Sequence, residues 1–149
     1  MATTKKMILL KRDELEFTKI AAAAITPGHL VEVTSAGKVQ KHSTEGGYAE
    51  RFVASELVYS GKSIDDAYAA NDEVVVKALR SGDVAYMYIK AGVGVVVGEK
   101  LISAGDGTLK GVADATSGGV VKDVIAVATE AVDLTASGAV ATRTPVRIK

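Results

Sequence analysis

The stretch EVVVKALRSGDVAYMYI, Glu73 to Ile89, sets two runs rich in valine and tyrosine on either side of Ser81-Gly82-Asp83. β-Branched and aromatic side chains suit a pleated, half-buried surface, and a glycine inside a short polar break supplies a tight turn. The runs are too short for ordinary helices. The stretch therefore predicts two strands, Glu73–Leu79 and Asp83–Ile89, with a turn between them.

The same pattern extends in both directions. Leu30–Thr34, Arg51–Leu57 and Val146–Lys149 read as strands, and Pro27-Gly28, Ser35-Ala36-Gly37, Gly105-Asp106-Gly107 and Ala136-Ser137-Gly138 read as turns. Short strands at this spacing predict an all-β fold, a small antiparallel β-barrel or sandwich. An internal echo supports it: TPGHLVEVTSAGKV (Thr26 to Val39) and VVGEKLISAGDGTL (Val96 to Leu109) each pass from glycine through a short apolar run into Ser-Ala-Gly and on to another apolar residue. Both segments predict hairpins. Helix is confined to at most one or two short pieces, over Ile64–Ala70 and Ala21–Ala24, where alanine gives the best intrinsic propensity.

Composition narrows the class. A chain of 149 residues makes one domain of ordinary size. It has no cysteine, so neither disulfides nor thiolate metal sites can form. No apolar run approaches the roughly 18 residues of a membrane span, which predicts a soluble chain. Eighteen basic residues balance eighteen acidic ones, so no global field favours nucleic acid. The balance is uneven, however. Lys5, Lys6, Lys11 and Arg12 give the first twelve residues a charge of +4. Residues 1–12 therefore read as a basic arm preceding a β-rich domain over residues 13–149. Within the arm, Met7, Ile8, Leu9 and Leu10 form an apolar run between the charges. That run suits either the first strand of the domain's own sheet or a strand added to an exposed edge elsewhere.

Motifs for chemistry fail on spacing. GVGVVVGEK, from Gly92, has valine where a P-loop needs its second glycine and a glutamate before the lysine, and its third glycine comes one residue late for a dinucleotide fingerprint. SAGDGTLKG (Ser103 to Gly111) offers calcium only Asp106 and reads instead as a turn built on Asp106-Gly107. His29 and His42 fall on a turn and a polar loop and read as solvated. The acid pairs Asp13-Glu14, Asp65-Asp66 and Asp72-Glu73 read as solvated surface, since adjacent residues of a strand point to opposite faces. No metal, cofactor or catalytic residue is expected. One strand is unusual: in Asp83–Ile89, Val84, Tyr86 and Tyr88 share one face while Ala85, Met87 and Ile89 share the other. With both faces apolar, the strand lies either inside its own domain or partly under a neighbouring subunit, which makes Tyr86 and Tyr88 candidate contact residues.

In order, ITPGHLVEVTSAGKVQKHSTEGG, AERFVASEL, GKSIDDAYAANDEVVVKALRSGDVAYM, VGEKLISAGDGTLKG, AVATEAVDL and the terminal PVRIK resemble the head decoration, or capsid cement, proteins of tailed bacteriophages. The likeness runs from about Ile25 to Lys149. It implies an all-β, non-enzymatic domain on the outer surface of the virion capsid, made in the host cytoplasm. It further implies binding to the major capsid protein and to itself as a homotrimer, so that neighbouring shell subunits are bridged and the expanded capsid is stabilised. No nucleic acid, membrane or small-molecule substrate is implied. On this reading Lys5 to Arg12, with Tyr86 and Tyr88, are the candidate capsid or subunit contacts. The alternatives are another virion component, such as a head fibre base or tail protein, and a ligand-binding β-domain.

Overall fold

A computed structural model describes residues 15–116 and 122–149. The basic arm and the Asp13-Glu14 pair lie outside the described residues. In chain order the strands are β1 (Leu15–Ile20), β2 (Val31–Val33), β3 (Val39–Lys41), β4 (Phe52–Ser55), β5 (Glu73–Ala78), β6 (Val84–Ile89), β7 (Gly94–Val95), β8 (Lys100–Ser103), β9 (Leu109–Gly111), β10 (Ala126–Ala128), β11 (Val132–Asp133) and β12 (Thr142–Ile148). Two single turns of 3-10 helix, Val58–Ser60 and Val112–Asp114, are the helical pieces among the described residues.

β10, β12, β6, β9 and β8 close into a barrel, while β1, β5 and β4 form an antiparallel three-stranded sheet in that order. The expectation offered barrel or sandwich, and the structure holds a closed barrel beside an open sheet. Its ladders are antiparallel except for β6 with β9, which run parallel where Ile89 meets Leu109. Both echo segments are hairpins: β2 pairs with β3 (Val33 opposite Val39) and β8 with β9 (Ser103 opposite Leu109).

Alternation along the strands builds two cores. Met87, Ile89, Leu101, Leu109, Ala126, Ala128, Val146 and Ile148 fill the barrel. Ala21, Ile25, Val31, Val39, Tyr68, Val74 and Val76 pack on one face of the sheet. Two neighbouring pairs join these cores. Leu30 and Val53, bridged to one another, point into the barrel, whereas Val31 and Ala54, one residue on, point into the second core. Period-two geometry thus lets β2 and β4 act as a wall shared by both.

Neither expected helix forms. Ala21 and Ala22 donate their N-H groups to Asp72 and Val39, and Ile25 exchanges two bonds with Tyr68, so the backbone there is committed to other strands. The Tyr68 hydroxyl also donates to the Ser55 carbonyl at 2.6 Å, fixing the 64–70 segment as a loop on the sheet. Short stretches of high propensity lose to such tertiary bonds. The last strand begins at Thr142, four residues earlier than expected. Pro145 is tolerated there because its carbonyl accepts from Thr129, which puts the missing N-H on the side where β10 ends.

Candidate functional site

β6 and β12 run antiparallel with Tyr88 opposite Arg143, Tyr86 opposite Pro145 and Val84 opposite Arg147. Directly opposed residues share a face, so these side chains stand together on the outside of the barrel. The guanidinium of Arg143 lies 4.6 Å from the centroid of the Tyr88 ring. His29 stacks on the same ring at 4.6 Å and 26°. Arg143 also donates from Nε to the Pro27 carbonyl at 2.9 Å and from one Nη to Asp65 at 2.8 Å, with its other Nη on the Ile64 carbonyl. One side chain therefore ties the barrel wall to the 27–29 turn and to the 64–65 loop.

Tyr88 is half-buried by this arrangement, whereas Tyr86 is 66% exposed. The two candidate tyrosines share a face yet differ in role: Tyr88 is an internal stacking platform and Tyr86 is surface. Of the alternatives left open for this strand, burial inside the domain describes Met87 and Ile89, and exposure describes Val84 and Tyr86.

Beside Tyr86 the barrel and the sheet leave a groove with two compartments. The first, about 360 Å³, lies between β4 and β6 and is lined by Val53, Ile64, Leu79, Val84, Tyr86 and Arg143 among others. The second, about 260 Å³, lies over the outer face of the sheet against Glu16, Leu57, Val58, Tyr59 and Val75. Ser55, Glu56 and Lys77 line both, so the compartments adjoin. Register explains the floor: Ser55 stands opposite Val75 and Val53 opposite Lys77, on the face of β4 and β5 turned away from Val74 and Val76. The rim carries exposed Val58, Tyr59, Ile64, Val84 and Tyr86. Sequence reading found Val84 and Tyr86 by their alternation. It missed Arg143, Glu56 and the 57–59 turn, because a groove between separate sheets leaves no periodic signal.

The histidines correct the expectation of solvated loop residues. His29 is 8% exposed and His42 only 2%. His29 Nδ1 accepts the Thr26 N-H at 3.1 Å. Burial pushes its pKa down to about 4, aided by Lys41 and Arg143 and opposed by Asp106. His42 lies between the two hairpins: Nε2 meets the Tyr48 carbonyl at 3.0 Å and Nδ1 meets Ser103 Oγ at 2.7 Å. A carbonyl can only accept, so Nε2 carries the proton and Nδ1 accepts from the Ser103 hydroxyl. Glu32 stands 3.7 Å from Nε2. This serine, histidine and glutamate approximate a hydrolytic constellation, but Ser103 Oγ is fully buried and already accepts the Gly105 N-H at 3.1 Å. The cluster ties hairpin to hairpin and offers no substrate a nucleophile.

The SAGDGTLKG segment is the β8–β9 turn. Its N-H groups are occupied: Gly105 donates to Ser103, Gly107 to the His42 carbonyl at 3.1 Å, and Thr108 to Asp106 at 3.1 Å. Asp65 and Asp66 do lie on the surface, Asp65 paired with Arg143 and Asp66 accepting the Ser63 N-H. Among the described residues no group of three His, Asp or Glu side chains is placed to hold a metal ion.

No family model matches the chain, and no curated protein matches it. Among solved structures, the head fiber gp8.5 N base of bacteriophage phi29 shares its fold with a TM-score of 0.58 at 15% identity, the match covering 92% of this chain and 95% of that one.

Proposed function

We propose that this protein is a structural component of a bacteriophage head, carried on its outer surface as the base of a head fibre. The carrying observation is that its fold coincides almost end to end with that of the phi29 head fibre base, leaving little of either chain unmatched. The exposed apolar rim around Tyr86 supports a protein that works by contact, and the serine-histidine cluster, sealed inside the hairpins, offers no competing chemistry. On this reading its partner is the major capsid protein, and copies associate with one another on the shell. A second reading is favoured by the likeness of its segments to capsid cement proteins: a homotrimer bridging neighbouring shell subunits.

Mass spectrometry of purified virions, with surface proteolysis of intact particles, tests the proposal. The protein is expected at a fixed ratio to the shell protein and accessible from outside, and its absence from virions overturns the reading. Heads assembled without it separate the two roles. A fibre base leaves their heat resistance unchanged, whereas loss of a cement protein lowers it.

A further inference from the structure

The groove is an apolar trough open along one side, and the chain carries a segment whose chemistry matches it. We propose that the arm run Met7–Leu10 of the same chain seats in the groove over β4 and β5, with Lys5, Lys6, Lys11 and Arg12 set against Glu16 and Glu56. The inference goes beyond the head-surface reading and does not depend on it.

Three observations carry it. The first is position: Leu15, the first described residue, lies in β1, and the next residue, Glu16, lines the groove, so the preceding segment is tethered beside it. The second is reach. Leu10 and Met7 lie five and eight residues before Leu15; at about 3.3 Å per extended residue they can stand anywhere up to about 16 and 26 Å away, enough to turn back over the floor. Attachment so close to the site gives a high effective concentration, which favours this chain's own arm over that of a second copy. The third is complementarity. Val53, Leu57, Val75 and Leu79 offer an apolar bed for four consecutive apolar side chains. Glu16 and Glu56 place carboxylates where the flanking cations would lie; Lys77, between the compartments, and Arg143, paired with Asp65, are the opposing charges in the lining.

The absence of cysteine from the chain makes the test clean. In the full-length protein, Leu9→Cys is combined with Tyr59→Cys, whose position is 97% exposed on the groove rim. Mild oxidation is expected to close a disulfide within one chain at least ten times faster than in the control pair Leu9→Cys with Val97→Cys, on an exposed barrel turn that lines neither compartment. Adding Glu16→Lys and Glu56→Lys is expected to slow closure several-fold. A rate no greater than the control overturns the proposal. So does crosslinking between chains in a mixture of the two single variants, which assigns the groove to the arm of a second copy. An unchanged rate in the charge-reversed protein removes the ionic part of the match.

Discussion

Arg143 and Tyr88 face each other across the β6–β12 ladder, the guanidinium 4.6 Å from the ring centroid, and from that position Arg143 reaches two loops distant in sequence. Its hydrogen bonds to Pro27 and to Asp65 bring together segments 116 and 78 residues away. An arginine is suited to this because its planar fork stacks on a ring while its edges donate.

Arg143→Ala should therefore cost more than an ordinary surface substitution. It removes a charge-assisted bond, bonds to two carbonyls and a ring contact on a side chain only 15% exposed, for which about 2–3 kcal/mol is expected. For a domain of this size that corresponds to a fall of about 5–10 °C in the melting temperature, read by circular dichroism. Asp65→Asn tests the partition. Asp65 is 80% exposed, so losing its charge should cost well under 1 kcal/mol, leaving the stack and the carbonyl bonds as the main contribution.

His29 predicts a pH dependence whose window differs from that of the carboxylates. Its folded pKa of about 4 lies below the unfolded value of 6.5, so the unfolded chain takes up the proton first as the solution is acidified. Stability from this group is complete above pH 6.5 and falls between 6.5 and 4, by about 3 kcal/mol in all. The carboxyl of Asp123, lowered by the hydrogen bond from Arg51, works in the same direction but loses its contribution only below the usual carboxylate pKa, near pH 4. Urea unfolding at pH 7, 6, 5 and 4 should show a steady decline already by pH 5. In His29→Gln the decline between pH 6.5 and 5 should flatten, and an unaltered slope would assign that window to another group.

Gly107 and Gly37 offer a matched pair. Both sit in hairpin turns with positive φ, +82° and +75°. A Cβ on Gly37 meets nothing within 4 Å, so Gly37→Ala should cost only the left-handed backbone penalty, about 1 kcal/mol. A Cβ on Gly107 comes within 3.0 Å of the Lys41 side chain and 3.2 Å of His29. Gly107 also accepts the Leu30 N-H and donates to His42, joining the β8–β9 turn to the other hairpin. Gly107→Ala should cost about 2–3 kcal/mol, and equal melting temperatures for the two variants would show that the contact between hairpins is loose.

What the sequence discloses follows from the range over which each interaction acts. Strands such as β5 and β6 are legible because a run of three valines in one and alternating tyrosines in the other lie on either side of a glycine turn. β8, β9 and β10 are three or four residues long and rich in alanine, glycine and lysine, so closing the barrel rests on pairing among segments with weak propensity of their own. The hairpin echo located β8 and β9 where propensity did not. Loop assignment was right for His42 and its burial wrong, because Ser103, which donates to its ring, lies 61 residues away. The groove follows the same logic: Tyr86 was visible from its own strand, but Glu56 and Tyr59 reach it only through the packing of a second sheet.

Tyr86 provides the sharpest test of function. Its ring is largely in water, opposite Pro145. Tyr86→Asp should therefore leave the fold within about 0.5 kcal/mol of the parent, as expected for a surface position away from the core. Tyr88→Asp, by contrast, removes the ring on which both His29 and Arg143 lie and places a carboxylate at a half-buried position, for which a loss of about 2–4 kcal/mol is expected. Binding to heads that lack the protein separates structure from contact. If the face around Val84 and Tyr86 meets the shell, Tyr86→Asp should bind at least tenfold more weakly while melting normally, since a charge desolvated in an apolar contact is costly. Unchanged binding would move the contact to another surface of the barrel and leave Tyr86 as a groove residue alone.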